Sequence, residues 1–269
     1  MLKRRIITAI LLGASLFAVL FYADPFVWQI VLEAMALVAA YEWGRLALWS
    51  ISKSIFYAGI IALLLGIWCR LSSTALGDLL LHQAVIMSLL FWGSGVLLWL
   101  RFGCRLHQPL ILMVSGMLVI LPALMALWYL RQQGVLILVA AMGVIWSSDS
   151  VAYFVGRQWG VKKLAPAISP GKTWVGAIGG LVGALFYGTC IWFFVGKPAF
   201  EVTLPYIFLI IMMVVFGIEG DLFESWIKRC AGVKDSGRCL PGHGGLLDRI
   251  DALTSTMPLV VLFLHWYPL

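Results

Sequence analysis

The sequence predicts an all-α fold: a polytopic integral membrane protein with eight or nine transmembrane helices. Three observations carry this. Of 269 residues 62% are hydrophobic and 12% charged, about half the charged share usual in soluble domains. Mean hydropathy is +1.00. Apolar runs of about 17 to 23 residues recur, each long enough to cross a hydrocarbon core of roughly 30 Å as a helix.

Taken in order, the runs cover 6–22, 26–43, 55–69, 77–100, 109–130, 134–155, 173–195, 203–220 and 250–267. The first follows Lys3, Arg4 and Arg5 as a signal peptide would, but it exceeds a signal core and further spans follow at once. It is read as a retained helix. The third is short, compatible with a tilted, half-buried or re-entrant segment, which is why the count is eight or nine. With nine spans, sixteen of the nineteen Lys and Arg fall on one side, and only Arg70, Arg131 and Lys197 on the other. Basic loops stay in the cytoplasm. The amino terminus and all large polar loops are therefore expected inside and the carboxyl terminus outside. The net charge of +7 then reflects topology and anionic headgroups, with no nucleic-acid partner implied. The five cysteines form no CxxC pair, so neither a disulfide framework nor a zinc site is indicated.

One membrane domain, 1–269, is expected, with a helical scaffold over about 1–133 and a catalytic half over about 134–269. The division rests on the acidic residues. Eight of twelve lie from Asp149 onward. Gly176, Gly179, Gly180 and Gly183 form overlapping GxxxG patterns, read as close helix packing.

Three polar segments stand out. The first spans 147–176. It carries Asp149 near the cytoplasmic end of a span, then a basic loop, then Ser169-Pro170-Gly171-Lys172-Thr173. A Walker P-loop needs glycine where Pro166 stands, and no strand is expected before it. What remains is a Gly-Lys-Thr turn opening a helix, suited to an anion through backbone N–H groups and Lys172. A plain basic loop flanking the membrane is the competing reading.

The second segment is "EGDLFESWIKR", 219–229. In a helix Asp221, Ser225 and Lys228 share one face, with Glu224 beside them. Burying a carboxylate at a membrane helix end costs about 2.5–3.5 kcal/mol on insertion scales, which favours a functional role. The competing reading is a solvated Glu224–Lys228 ion pair.

The third, "KDSGRCLPGHGGLLDRID" over 234–251, packs three aspartates, four basic groups counting His243, and four glycines into 18 residues. Gly237, Gly242, Gly244 and Gly245 permit positive φ and close backbone approach. Asp248 and Asp251, at i and i+3, start the last helix and suit either capping or ligation. Taken together, hard oxygen ligands, cations and glycines beside a membrane describe a divalent-metal and polyphosphate site. Magnesium suits Asp221 and Asp248, since it takes one or two carboxylates and completes its shell with phosphates.

At these residues the chain resembles the phosphatidate cytidylyltransferases, the CDP-diacylglycerol synthases. Ser225, Lys228, Arg229, Lys234, Asp235, Gly237, Pro241, His243, Gly244, Gly245, Asp248, Arg249 and Asp251 stand at the family's signature spacing without a gap. The resemblance implies transfer of the cytidylyl group of CTP to phosphatidate, giving CDP-diacylglycerol and pyrophosphate, in a bacterial-type cytoplasmic membrane. It implies a catalytic set of Asp221, Asp248, Lys228, Arg229, Lys234, Asp235 and His243. It further implies a substrate-binding set of Asp149, Ser169, Lys172, Thr173, Ser225, Gly244, Gly245, Arg249 and Asp251. Asp221 and Asp248 would hold Mg2+, and a second metal or a monovalent cation is compatible with the same residues. CTP, phosphatidate and membrane lipids are the implied partners, and a homodimer the implied assembly. The rival class is a transporter or channel, which places acidic residues through mid-span positions. A CDP-alcohol phosphotransferase is excluded by the missing Asp-Gly-x-x-Ala-Arg signature.

Overall fold

A computed structural model describes residues 13–102, 108–194, 200–239, 242 and 244–267. It is a bundle of long helices. Each short connection in the first third of the chain restarts a helix with a side-chain cap. After α1 (Gly13–Tyr22), Asp24 Oδ1 accepts from Val27 N at 2.9 Å and Pro25 opens α2 (Pro25–Leu46). Ser50 Oγ accepts from Lys53 N at 3.3 Å and begins α3 (Ile51–Leu71). Thr74 Oγ1 accepts from Gly77 N at 3.1 Å and begins α4 (Ala75–Leu90). At 21 residues and about 1.5 Å per residue, α3 spans roughly 30 Å. The short third run is thus a full-length helix, because polar Ser52, Lys53, Ser54 and Arg70 at its ends belong to it as well.

α4 continues through a π-helical turn, Phe91–Val96, into α5 (Leu97–Phe102). The turn feeds an aromatic cluster around Phe223, whose ring lies 5.7, 5.6 and 5.0 Å from those of Phe91, Trp92 and Trp99. α6 (Pro109–Gln133) is central and packs against α10, α2, α4 and α7. α7 (Val135–Trp159), a small hairpin of β1 (Lys163–Ala165) and β2 (Ser169–Thr173), α8 (Trp174–Phe194), α9 (Phe200–Cys230) and α10 (Leu247–Trp266) complete the chain.

Among the described residues, seven stretches are long and apolar enough to cross a bilayer: α2, α3, Ala75–Arg101, α6, α7, α8 and Val202–Cys230. The glycine pattern of α8 lies on α7. A Cβ at Gly179 would stand 2.8 Å from Val155 Cβ, and one at Gly180 2.9 Å from Ser148 O. Only hydrogen fits there, so these glycines serve packing.

Two features differ from the sequence expectation. "SPGKT" is not a turn but strand β2, paired antiparallel with β1 in the register Lys163↔Thr173 and Ala165↔Ser169. A strand does precede it, although Pro166 still rules out a P-loop. The span expected over 203–220 runs ten residues further, so that "EGDLFESWIKR", helical as its one-face spacing requires, is the end of one 31-residue helix, α9.

The chain alternates direction, so the carboxyl ends of α2, α7 and α9 meet the amino ends of α8 and α10. At the opposite end Arg131 of α6 donates to Leu20 O at 3.2 Å and to Ala23 O. There His82 Nε2 also lies 2.8 Å from His265 Nδ1.

Candidate active site

α7, the hairpin, α9 and the first turn of α10 enclose a cavity of about 720 Å³ at the polar end. One stripe of α7 supplies a wall: Asp149, Ala152, Tyr153, Gly156, Arg157 and Gly160, at helical spacings of three and four. β2 and α8 add Ser169, Lys172, Thr173 and Gly176. α9 adds Ile218 and Asp221, and α10 adds Asp248 and Asp251. Four carboxylates and three cations, Arg157, Lys163 and Lys172, thus face one space.

The hairpin puts Lys172 there. Trp174 N donates to Lys162 O at 3.1 Å, closing the strand pair. Thr173 Oγ1 then accepts from Gly176 N at 3.1 Å, capping α8. Lys172 Nζ lies 2.6 Å from Asp221 Oδ2 and 3.4 Å from Ile218 O. The other carboxylate oxygen of Asp221 accepts from Ser225 Oγ at 3.2 Å.

Behind this pair lies a buried network. Lys228 Nζ contacts Glu224 Oε2 at 3.1 Å and Asp248 Oδ1 at 2.5 Å. Glu224 and Lys228 are only 5% and 8% exposed, so the Glu224–Lys228 pair exists but is not solvated. Its charges are held by the protein interior, and Glu224 Oε1 is buried without a hydrogen-bond partner.

Asp248 is not a cap of its own helix. Its Oδ2 accepts from upstream groups: Ser236 N at 2.8 Å, Ser236 Oγ at 2.9 Å and Gly245 N at 2.8 Å. The N-cap residue of α10, Leu246, has no side-chain cap bond. The capping carboxylate comes from Glu42 of α2, which accepts from Leu246 N at 3.0 Å and Leu247 N at 2.9 Å. Gly244 adopts φ +83°, the left-handed region open to glycine. Outside the helices, Cys239 Sγ donates to Glu42 Oε1 at 3.2 Å. Burial first, then the bond to Glu42 and its charge, push this thiol up to about 11.

The structure therefore brings Asp149, Ser169, Lys172, Thr173, Asp221, Asp248 and Asp251 to one cavity. Ser225 and Lys228 stand immediately behind it, bonded to Asp221 and Asp248. Gly245 donates to Asp248. Arg229 is exposed and donates to Val233 O at 3.0 Å. Lys234, Asp235 and Arg249 are exposed and are not cavity walls. His243 and Pro241 lie outside the described residues. Sequence reasoning passed over Arg157, Lys163, Tyr153 and Glu42. The first and third were marked by the stripe that begins at Asp149.

Among the described residues no three His, Cys, Asp or Glu side chains form a ready-made metal cage. The donor set still fits magnesium. It consists of carboxylate oxygens on a cavity with room for phosphates, and Mg2+ uses few protein ligands.

These features define a class: a helical membrane protein with a cavity for a polyanion and its counter-charges at one end of the bundle. A profile described as "Cytidylyltransferase family" matches residues 3–267. The chain is 33% identical to a phosphatidate cytidylyltransferase of Haemophilus influenzae, over 96% of this chain and 96% of that one. Proteins of the same name from Pseudomonas aeruginosa and Bacillus subtilis are each 34% identical. They cover 96% and 98% of this chain, and 95% and 97% of their own length. The chain belongs to the cytidylyltransferase family.

Proposed function

We infer that this protein is a phosphatidate cytidylyltransferase. A phosphatidate oxygen attacks the α-phosphorus of CTP, a new P–O bond forms, and the bond to the β-phosphate breaks to release pyrophosphate. The observation that carries this is the single cavity shared by Lys172, Arg157 and Lys163 with Asp149, Asp221, Asp248 and Asp251. Two polyanions must meet in this reaction, and cations placed in advance lower that cost. The lipid phosphate is already ionised near neutral pH, so no strong general base is needed. This accounts for a site of Asp, Lys and Arg.

In this reading Lys172, Arg157 and Lys163 bind phosphates. Asp221 and Asp248 would hold Mg2+, which when bound would supply charge neutralisation at the reacting phosphates. Lys228 orients Asp248, and Lys172 orients Asp221 until substrate arrives. Lys234, Arg229 and Arg249 form the exposed basic rim, with Gly244 and Gly245 shaping the loop. The transporter reading is not favoured, because the cavity's carboxylates gather at one end of the bundle. Counting the first expected span, 6–22, and α10 beside the seven apolar helices of the described residues gives nine crossings. The basic asymmetry then supports a cytoplasmic cavity and an external carboxyl terminus. The homodimer implied by the family belongs to the same proposal.

The test is purified protein in phosphatidate-containing vesicles with CTP and magnesium. CDP-diacylglycerol and pyrophosphate should appear in equal amounts. Ion flux without either product would sink the reading.

A further inference from the structure

We propose that Glu42 of α2 is a positioning residue for the metal-binding end of the cavity, holding the loop before α10 and, through Ser236, the carboxylate of Asp248. The inference rests on the reaction proposed above and adds to it a residue from the other half of the chain.

Glu42 is 3% exposed. Both its oxygens are used, and every partner is a donor. Oε1 accepts from Leu246 N at 3.0 Å and Cys239 Sγ at 3.2 Å. Oε2 accepts from Leu247 N at 2.9 Å and Ser236 Oγ at 3.1 Å. While Ser236 donates to Oε2 the set holds only donors, which matches an ionised carboxylate, since a carboxylic acid would need an acceptor for its own proton. Two of the donors are N–H groups that the start of a helix leaves without intrahelical partners, and a negative charge is favoured there by the helix dipole. This alone would be capping from a distance. The link to Asp248 makes it more.

Ser236 Oγ stands between Glu42 Oε2 at 3.1 Å and Asp248 Oδ2 at 2.9 Å. Its one hydroxyl proton serves one carboxylate at a time, so the two acids are coupled through it. With Ser236 N and Gly245 N also on Oδ2 at 2.8 Å, that oxygen is pinned and Oδ1 is left towards Lys228. The loop is built around this arrangement. A Cβ at Gly237 would lie 2.2 Å from Glu42 Oε1, and one at Gly245 2.1 Å from Ser236 Oγ.

In Glu42→Gln an NH2 group replaces one acceptor and faces N–H or O–H donors. The loop loses its fixed register, and with it the aim of Asp248. The experiment uses the full chain in nanodiscs, with Mn2+ as the probe, its binding followed by electron paramagnetic resonance. The magnesium dependence of cytidylyl transfer is measured in parallel. Glu42→Gln should weaken Mn2+ binding and raise the half-saturating magnesium concentration about tenfold. The KM for CTP measured at saturating magnesium should stay close to wild type. Glu33→Gln, a carboxylate on the same helix bonded to Gln29, should move neither value. Ser236→Ala cuts the link to Asp248 but leaves the α10 N–H groups capped, and should weaken Mn2+ binding as well. This second variant keeps the claim readable if Glu42→Gln does not fold. Unchanged Mn2+ binding in Ser236→Ala, or in a folded Glu42→Gln, overturns the proposal. So does a wild type that binds no Mn2+. A wild type that binds Mn2+ but makes no CDP-diacylglycerol overturns the reaction, while the Mn2+ titrations still decide the role of Glu42.

Discussion

Lys228 of α9 and Asp248 of α10 are joined by an ion pair of 2.5 Å between Nζ and Oδ1, and the same ammonium also neutralises Glu224 at 3.1 Å. One buried cation thus bridges two carboxylates on two helices, which ties the end of α9 to the start of α10.

Removing that cation leaves both acids unpaired. Lys228→Met is expected to cost about 3–5 kcal/mol of stability, the range for breaking a buried pair from one side. Activity falls with it. Unfolding in mixed detergent would measure the loss. A change under about 1 kcal/mol would mean that water reaches the pair and screens it.

Asp248→Asn separates charge from shape. The amide oxygen can still accept from Ser236 N and Gly245 N, but its NH2 then meets Lys228. Some stability is lost for that reason, yet the cap on α10 from Glu42 survives and the protein should insert. Transfer should fall more than tenfold, a barrier increase above roughly 1.4 kcal/mol. A variant that keeps more than a tenth of wild-type turnover across magnesium concentrations would end the assignment of Asp248 as a ligand.

Lys172→Gln removes the cation facing Asp221. A charged phosphate contact is worth about 1.5–3 kcal/mol, so the KM for CTP or phosphatidate should rise by about ten- to a hundredfold. The fold, whose hairpin is held by backbone bonds, should melt as wild type does. Unchanged kinetics would return the hairpin to a membrane-flanking role.

Cys239 offers a pH measurement that needs no turnover. Only the thiolate is alkylated. With the thiol pushed up to about 11, the rate in a variant retaining Cys239 alone should climb about tenfold per pH unit from about pH 7 to 10. An ordinary thiol, with a pKa near 8.5, levels off in that window. Removing the charge at Glu42 lowers the pKa and should raise the rate at any fixed pH below it. A plateau near pH 9 in the unmodified loop would show that Glu42 does not bear on the sulfur.

Much of this architecture is written as hydrophobicity. The runs 26–43, 55–69, 77–100, 109–130 and 203–220 fall inside helices of the structure, and 134–155 starts one residue before α7, because a bilayer demands length and apolarity, both of which are local. The three polar segments were legible for the converse reason, as charge is costly there. The β hairpin was not, since strands of three and five residues leave no periodicity to read. Glu42 was hidden differently. Arg45, three residues on, is its ready partner in sequence, but in space Arg45 donates to Trp49 O. The true partners lie 194 to 205 residues away. Long-range pairing of one carboxylate with backbone N–H groups leaves no mark in composition.

α8 has a consequence for how the enzyme meets its lipid. Its glycine side is pressed on α7 and contributes Gly176 and Ala177 to the cavity wall, while Ile178, Val182 and Phe186 stand 61%, 61% and 73% exposed. A lipid whose headgroup reaches this wall can leave its acyl tails among its neighbours, so the search for substrate takes place in two dimensions. The rate should follow the mole fraction of phosphatidate in the bilayer. Diluting vesicles of fixed composition should leave turnover unchanged, and diluting phosphatidate with neutral lipid should slow it.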